Sequence, residues 1–508
     1  MAGIGFTLQK ALGGARLNKK VGVYGAAAFV TAGPWLLTLI SLFALLSWGY
    51  YFGMTTEQRD LFFATVTYAT IGSNLISGTA QFVLTRYLAD ALYVNSPQRL
   101  LSAFTSIFVY SGGAALIGGI VGQWFLPLPF PYRVWTVLLI VILTLLWLLM
   151  VLISAAKAYR DIAYGFLIGM AFLFIVATGW GVWIQSGGPV PHPTSILALF
   201  AIGQGFTLLW VGSVAIRDFS GRIPVLYNLL PQHRRYPELL WIGLFYALTL
   251  WVDNGVYWFS ELRVKVADSY PLAPTYDLAK FFTFLSFIPA LTAFSVQIET
   301  KFYLVYRQFY KSIEQGDTLA QIQVYEEALR TEAKRAVLTI AKIQTVMVVL
   351  VWVVAQQLFA TYPDVIEILQ WTIIGSIPHI SWITVFLLLL YFDARKKAMW
   401  CIGLGLFVMF LSSFLTEHFD WWTGTGYLMG AVVMLFVSFL FLNRQAEGLL
   451  YYAFYGANRS IDNELPPAAL PTASQIKRGL PVVREVSPIG QDSGLQTEEK
   501  GNPRGRVS

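Results

Sequence analysis

The chain has 508 residues, of which 56% are hydrophobic and 12% charged, with a formal net charge of +7. Soluble proteins carry charge on roughly a quarter of their residues. A mean hydropathy of +0.60 spreads the apolar excess over most of the chain, which argues against a soluble enzyme and for a polytopic membrane protein. The single Cys401 excludes a disulfide framework, and Cys and His nowhere cluster at metal-ligand spacing, so neither a metal nor another cofactor is expected.

In chain order, residues 1–20 place Ile4, Leu8, Ala11 and Leu12 at helical spacing, with Lys10 and Arg16 elsewhere. That pattern predicts a short interfacial helix. The apolar run that follows is too long for a secretory leader and lacks a small-residue cleavage site. Twelve windows then reach the roughly 20 apolar residues a spanning helix needs. The first six are 21–50, 61–84, 101–126, 134–156, 162–185 and 195–216; the second six are 238–260, 279–298, 336–360, 367–391, 398–416 and 422–442. They are continuous runs rather than the ten-residue alternations of a membrane barrel, so the predicted fold is all-α.

Pro224, Pro231 and Pro237 break the connection at 217–237. It divides the chain into a six-helix bundle over 1–216 and another over 238–456. A split of this kind suggests two bundles around a central polar cleft. An insert at 299–335 reads as a pair of amphipathic cytoplasmic helices, and 457–508 as a disordered cytoplasmic tail. Orientation follows from Lys and Arg, which concentrate in loops on the cytoplasmic side. Twenty-one basic residues fall in one set of loops and the terminal segment, against Arg59, Arg133, Arg263 and Lys265 in the other. Both termini are therefore expected in the cytoplasm, and the basic balance reports topology rather than nucleic-acid binding.

Ionisable groups inside a membrane are costly and by default functional candidates. Asp253 is the sharpest, with Asn254, Tyr257 and Trp258 beside it and no Lys or Arg within a helical turn. It reads either as a carboxylate facing a water-filled cavity or as one paired with a base on another helix. Span two gathers Ser73, Asn74, Ser77, Thr79, Gln81 and Thr85, and span eight Thr283, Ser286, Thr292, Ser295 and Gln297. Such hydrogen-bonding groups glue helices together or line a polar cleft; on corresponding spans of the two halves they favour the cleft. Arg86 and Glu299, at the inner ends of those spans, are candidates for a gate or a structural ion pair. Gly33-Pro34 predicts a kink, and Gly112, Gly113, Gly118 and Gly119 predict close helix contact. No Gly-Lys dipeptide exists for a P-loop, and His192, His233, His379 and His418 are scattered, so nothing indicates catalysis.

Several short motifs occur together and in order: the opening Met-Ala-Gly-Ile-Gly-Phe, Gly33-Pro34-Trp35, Thr85-Arg86-Tyr87-Leu88-Ala89-Asp90, Ile288-Pro289-Ala290 and Glu299-Thr300-Lys301-Phe302-Tyr303. In these the chain resembles the PelG family over 1–456. The resemblance implies an inner-membrane exporter of the galactosamine-rich Pel exopolysaccharide, related to the multidrug/oligosaccharidyl-lipid/polysaccharide flippases. It also implies a cytosolic glycosyltransferase and membrane regulatory subunits, among them a cyclic-dinucleotide receptor, as partners. It transfers no substrate residues. The alternatives are a flippase or cation-coupled antiporter for a smaller lipid-linked or cationic substrate with Asp253 as its ion site, a polytopic transferase, and a scaffold. Phe302, Leu304, Val305, Phe309, Ile313, Leu319, Ile322 and Leu329 give the insert enough apolar surface to require a cover, for which the glycosyltransferase is the expected partner.

Overall fold

The computed structural model describes residues 17–93, 97–155, 159–218, 236–419 and 421–457. The expected interfacial helix before residue 17, most of the 217–237 connection and the tail after 457 lie outside them. Residues Met1–Tyr455 group as one compact unit. The first half holds α1 (Leu17–Tyr51), α2 (Thr56–Tyr93), α3 (Pro97–Ser106), α4 (Gly112–Trp124), α5 (Phe130–Ala155), α6 (Tyr159–Gln185) and α7 (Pro193–Asp218). A π-turn over Ile107–Ser111 joins α3 to α4. The second half begins with α8 (Pro237–Leu248) and the short α9 (Val252–Tyr257), followed by a hairpin of β1 (Val264–Val266) and β2 (Tyr270–Leu272). Then come α10 (Pro274–Leu285), α11 (Phe287–Gln297), α12 (Tyr303–Gln315), α13 (Leu319–Leu358), α14 (Pro363–Tyr391), α15 (Arg395–His418), α16 (Thr425–Glu447) and α17 (Leu449–Ala457).

The all-α polytopic fold is as expected: ten of the described helical segments are long and apolar enough to cross a membrane. The other two expected spans depart for physical reasons. Helix α2 is 38 residues long, but the hydroxyl and amide side chains between Ser73 and Thr85 make it too polar to qualify. Span seven breaks at Thr249–Trp251, leaving α8 as a short apolar helix; the Thr249 hydroxyl donates to the Tyr246 carbonyl (2.9 Å is the backbone N–H bond from Thr249 to Phe245, 2.7 Å the hydroxyl bond). Pro237, Pro274 and Pro363 each open a helix in its first turn, where the missing N–H would be unbonded anyway. Pro34 lies inside α1, which continues through it.

Helices of the first half pack chiefly on one another, α5 against α2, α4 and α7, and α6 against α1 and α7. In the second half α16 packs on α14 and α15, and α14 on α10 and α13. Between the halves the main helix contacts are α2 on α8 and α1 on α11, and the hairpin of β1 and β2 also packs on α2. The first depends on glycine: a Cβ on Gly243 would collide with the Gly78 carbonyl, and one on Gly78 would come within 3.0 Å of the Gly243 oxygen. Gly112 and Gly119 do bring α4 against α5, where a Cβ would lie 3.3 Å from Leu145 and 3.2 Å from Val137, whereas Gly113 has nothing within 4 Å.

The insert forms a helical hairpin. Helix α12 ends on left-handed Gly316, the usual residue where the chain must leave a helix at positive φ, and Thr318 caps α13 by accepting the Gln321 N–H. Helix α13 has 40 residues, a length of about 60 Å, charged in its first half and largely apolar beyond Ala336, where Lys342 is the one charged residue. The chain itself covers part of the insert's apolar face, while Leu319 stays exposed. Phe309, Ile322 and Leu329 are buried where α12 folds back along α13, and Phe302 is buried against Tyr391 and Phe392. Arg330 adds a tie, its guanidinium donating to the Ala446 and Glu447 carbonyls at 2.7 and 3.0 Å, which satisfies the end of α16.

The glycine crossing yields a paired expectation. Gly243→Val should lose about 1–3 kcal/mol through overpacking, read as a lower unfolding temperature and less folded protein in membranes. Gly113→Ala, placed in open space on α4, should leave both unchanged.

Candidate functional site

Asp253 opens α9 with its side chain fully buried, and it forms an ion pair with the equally buried Lys280 of α10. The Tyr276 hydroxyl donates to the same carboxylate oxygen, Oδ2, at 2.5 Å. Oδ1 is buried without a hydrogen-bond partner among the described residues. Lys280 Nζ also lies 3.5 Å from the centre of the Tyr427 ring and 5.1 Å from that of Phe284, so aromatic faces supply the rest of its electrostatic surroundings. Of the two readings of Asp253, the geometry is the pairing with a base on another helix. Nothing in the sequence around Asp253 marks Lys280. Its signal is that it is a single cation inside an apolar span, at a depth similar to that of a single anion in the span before it.

Lys280 belongs to a polar stripe. Asp277, Lys280 and Thr283 recur every third residue along α10, and Ser286 continues the spacing at its C-terminal cap. Asp277 accepts from Asn254 Nδ2 at 2.7 Å, from the Trp258 indole at 3.0 Å and from the Ala273 N–H at 3.1 Å. Thr283 donates to Thr372 at 2.9 Å. Gln344 Nε2 donates to Ser286 and to Ser376, each at 2.8 Å. His379 sits beyond, fully buried among Phe287, Trp382 and Tyr427. The result is a thread of polar side chains through α9, α10, α13 and α14, inside the second half.

Thr283 and Ser286 therefore do not line a cleft between the halves, as their position on span eight suggested. A helix has one side toward each neighbour, and sequence alone could not say which neighbour this stripe meets. Two cavities do lie where the halves adjoin. One, of about 440 Å³, is bounded by Leu36, Ile40, Phe43, Phe281 and Leu285 on α1 and α10. The other, of about 480 Å³, lies between α2, α9 and α15. Both are apolar, and Asp253 lines neither.

The remaining predicted residues fall in separate places. Tyr257 hydrogen-bonds to Thr416 at 3.1 Å and accepts from the Gly424 N–H at 3.3 Å, closing the end of the second half near the hairpin. Trp258, besides holding Asp277, packs on Tyr68 of α2 with ring centres 5.1 Å apart. Tyr68 packs on Tyr270 on its other side at 4.9 Å and donates to the Pro271 carbonyl at 2.7 Å. Asn74 and Gln81 are half-buried on α2. Gln297 is buried on α11, its Nε2 without a hydrogen-bond partner among the described residues. At the opposite, basic end, Arg86 pairs with Asp90 at 3.3 Å and reaches Asp393 at 3.9 Å. Asp393 is held by Arg395 at 2.9 Å, and both guanidiniums face the buried Tyr236 ring. Glu299, named with Arg86 as a candidate for a gate or structural ion pair, has its side chain outside the described ones, so its relation to Arg86 lies outside them too.

The model of the family described as "PelG: Putative exopolysaccharide Exporter (EPS-E)" matches residues 1–454. The chain belongs to the PelG family. A search of curated proteins finds no match. Among solved structures, the PelG chain is similar to an outward-facing multidrug resistance MATE family transporter of the MOP superfamily, at 13% identity and a TM-score of 0.55, covering 84% of this chain and 96% of that one. It is similar to the Vibrio cholerae MATE transporter VcmN at 14% identity and a TM-score of 0.56, covering 85% and 99%. A MOP superfamily transporter from Pyrococcus furiosus gives 14%, 0.51, 84% and 96%. At such identities the likeness establishes the fold alone: this is a multi-pass membrane protein with a MATE-like transporter fold.

Removing one member of a buried ion pair leaves the other uncompensated, a loss of about 3–5 kcal/mol. Lys280→Met should accordingly reduce the folded protein in membranes sharply. Combining it with Asp253→Asn, which removes the stranded charge and keeps an acceptor for Tyr276, should recover most of that loss. Quantifying the folded protein by fluorescence-detected size exclusion compares the three forms directly.

Proposed function

We propose that this PelG chain moves a growing Pel-type, galactosamine-rich polysaccharide across the bacterial cytoplasmic membrane, along the seam between two six-helix bundles at 1–216 and 238–456. Family membership supports export of a polysaccharide or related substrate. The observation that carries the route is the character of the seam. It is clamped at one end by Tyr68 between Trp258 and Tyr270, and at the other by Arg86 toward Asp393. Between these ends Gly78 meets Gly243 backbone to backbone. Stacked rings, one hydrogen bond and a long ion pair are each weak singly, so either end can be released without unfolding a bundle. The basic end, by the charge asymmetry of the loops, faces the cytoplasm with both termini; the β-hairpin faces the periplasm. The mechanism needs no catalytic group and no cofactor. A flippase for a smaller lipid-linked substrate is the second reading, favoured by the apolar lining of both seam cavities.

The cytoplasmic insert is the proposed docking point for a glycosyltransferase and for regulatory subunits with a cyclic-dinucleotide receptor. Its internal face is spent on the chain's own packing, so docking falls to the outer face, where Leu319 and Val324 are 60% and 67% exposed and Arg307, Lys311 and Lys334 point outward.

Two tests follow. Cysteines at Tyr68 and Pro271, joined by a short bismaleimide, should stop polysaccharide delivery to the periplasm, while either cysteine alone is tolerated; the native Cys401 is buried and should not compete. Full delivery from cross-linked protein would remove the hairpin end from the route, and accumulation of a lipid-linked saccharide instead would favour the second reading. Charge reversal at Lys311 and Lys334 should reduce co-purification of cytosolic partners at unchanged abundance. Arg330 is unsuitable for that test, because it holds the end of α16.

A further inference from the structure

The seam cavity beside α9 carries at its edge a carboxylate that the transport reading does not use. Its walls are Ile71 and Leu75 of α2, Val252 and Val256 of α9, and Phe410 and Phe414 of α15, with Glu417 at one edge. Glu417 belongs to the last turn of α15, so the carboxylate stands where the helix leaves the apolar layer. It is partly exposed, and no ion-pair or hydrogen-bond partner for it occurs among the described residues. An apolar slot ending in such an anion is complementary to an amphiphile with a hydrocarbon tail and an ammonium group in its head. The surrounding bilayer offers one such class.

We propose that this cavity holds a phospholipid with a primary ammonium head group, phosphatidylethanolamine, its acyl chain in the slot and its ammonium on Glu417. The floor of the slot is the face of α9 that carries Gly255, next to the buried Asp253 and Asn254. The lipid therefore fills the gap between the halves at the break in span seven and supports the helix on which the buried ion pair depends.

Gly255 supplies a test that leaves the fold intact, since a Cβ there would meet nothing within 4 Å. Full-length protein reconstituted in nanodiscs of equal phosphatidylethanolamine and phosphatidylglycerol, then released into native mass spectrometry, should retain phosphatidylethanolamine preferentially. Glu417→Gln should lower that preference about two- to fivefold, the range of one partly exposed charge pair. Gly255→Leu should lose the retained lipid by occupying the slot, at unchanged folded abundance. Equal retention of the two lipids by the wild type, or a preference that survives Glu417→Gln, would overturn the assignment. So would a polyprenyl phosphate in place of phosphatidylethanolamine among the lipids co-purified from cells, an outcome that would make the slot a carrier-lipid site. Should Gly255→Leu fail to fold, the Glu417→Gln comparison still decides.

Discussion

A lone charge in hydrocarbon has no solvent to answer it, and the second half of this protein is arranged around that constraint. Asp253 and Lys280 neutralise each other on adjoining elements, with Tyr276 on the carboxylate and Tyr427 under the ammonium. Each helix in the arrangement then has a reason for its place. The break in span seven lets α9 begin at Val252 and present Asp253 in its first turn. Pro274 starts α10 early enough that Lys280 falls inside it. Tyr427 ties α16 to the same charge. By the general rule, replacing a buried pair with apolar residues of equal volume costs little stability, so the pair is better understood as fixing which face of α10 turns inward.

Much of this architecture is legible in the sequence, and its limits have identifiable causes. Windows of 20 apolar residues report helix existence well, because lipid requires that every backbone group be bonded within the segment. They do not report breaks: Thr249–Trp251 contains neither Pro nor Gly, so no residue type there marks the interruption. The β-hairpin is invisible for a related reason. Its strands have three residues each, one of which is Pro271, a residue that argues against a strand unless the strand is an edge.

Among the site residues, the legible part is that Asp253 matters to its surroundings; the illegible part is direction. Asn254 and Trp258 converge on Asp277, and Thr283 and Ser286 on α13 and α14, whereas composition alone pointed all of them toward a cleft. Spacing identifies which residues share a side of a helix, but the helix opposite that side is set by connectivity and packing. The insert makes the same point in water. Spacing shows that its apolar residues share a side, and for Phe309, Ile322 and Leu329 the side they meet is the antiparallel arrangement that Gly316 and Thr318 create.

These placements bear on how such a molecule can move. Polar side chains of the second half spend their hydrogen bonds on one another, across α9, α10, α13 and α14, so separating those helices would expose several buried donors and acceptors at once. The seam is the opposite case. Its cavities are apolar, its central crossing is glycine on glycine, and its end contacts can be exchanged for water or lipid at small cost. Rigidity and compliance are thus assigned by chemistry: a network that cannot be half-broken inside the half, and contacts that can be lost one at a time between the halves. In the proposed export cycle the bundles therefore shift as bodies about the crossing of α2 and α8, and the conformational work is done at the two ends of the seam.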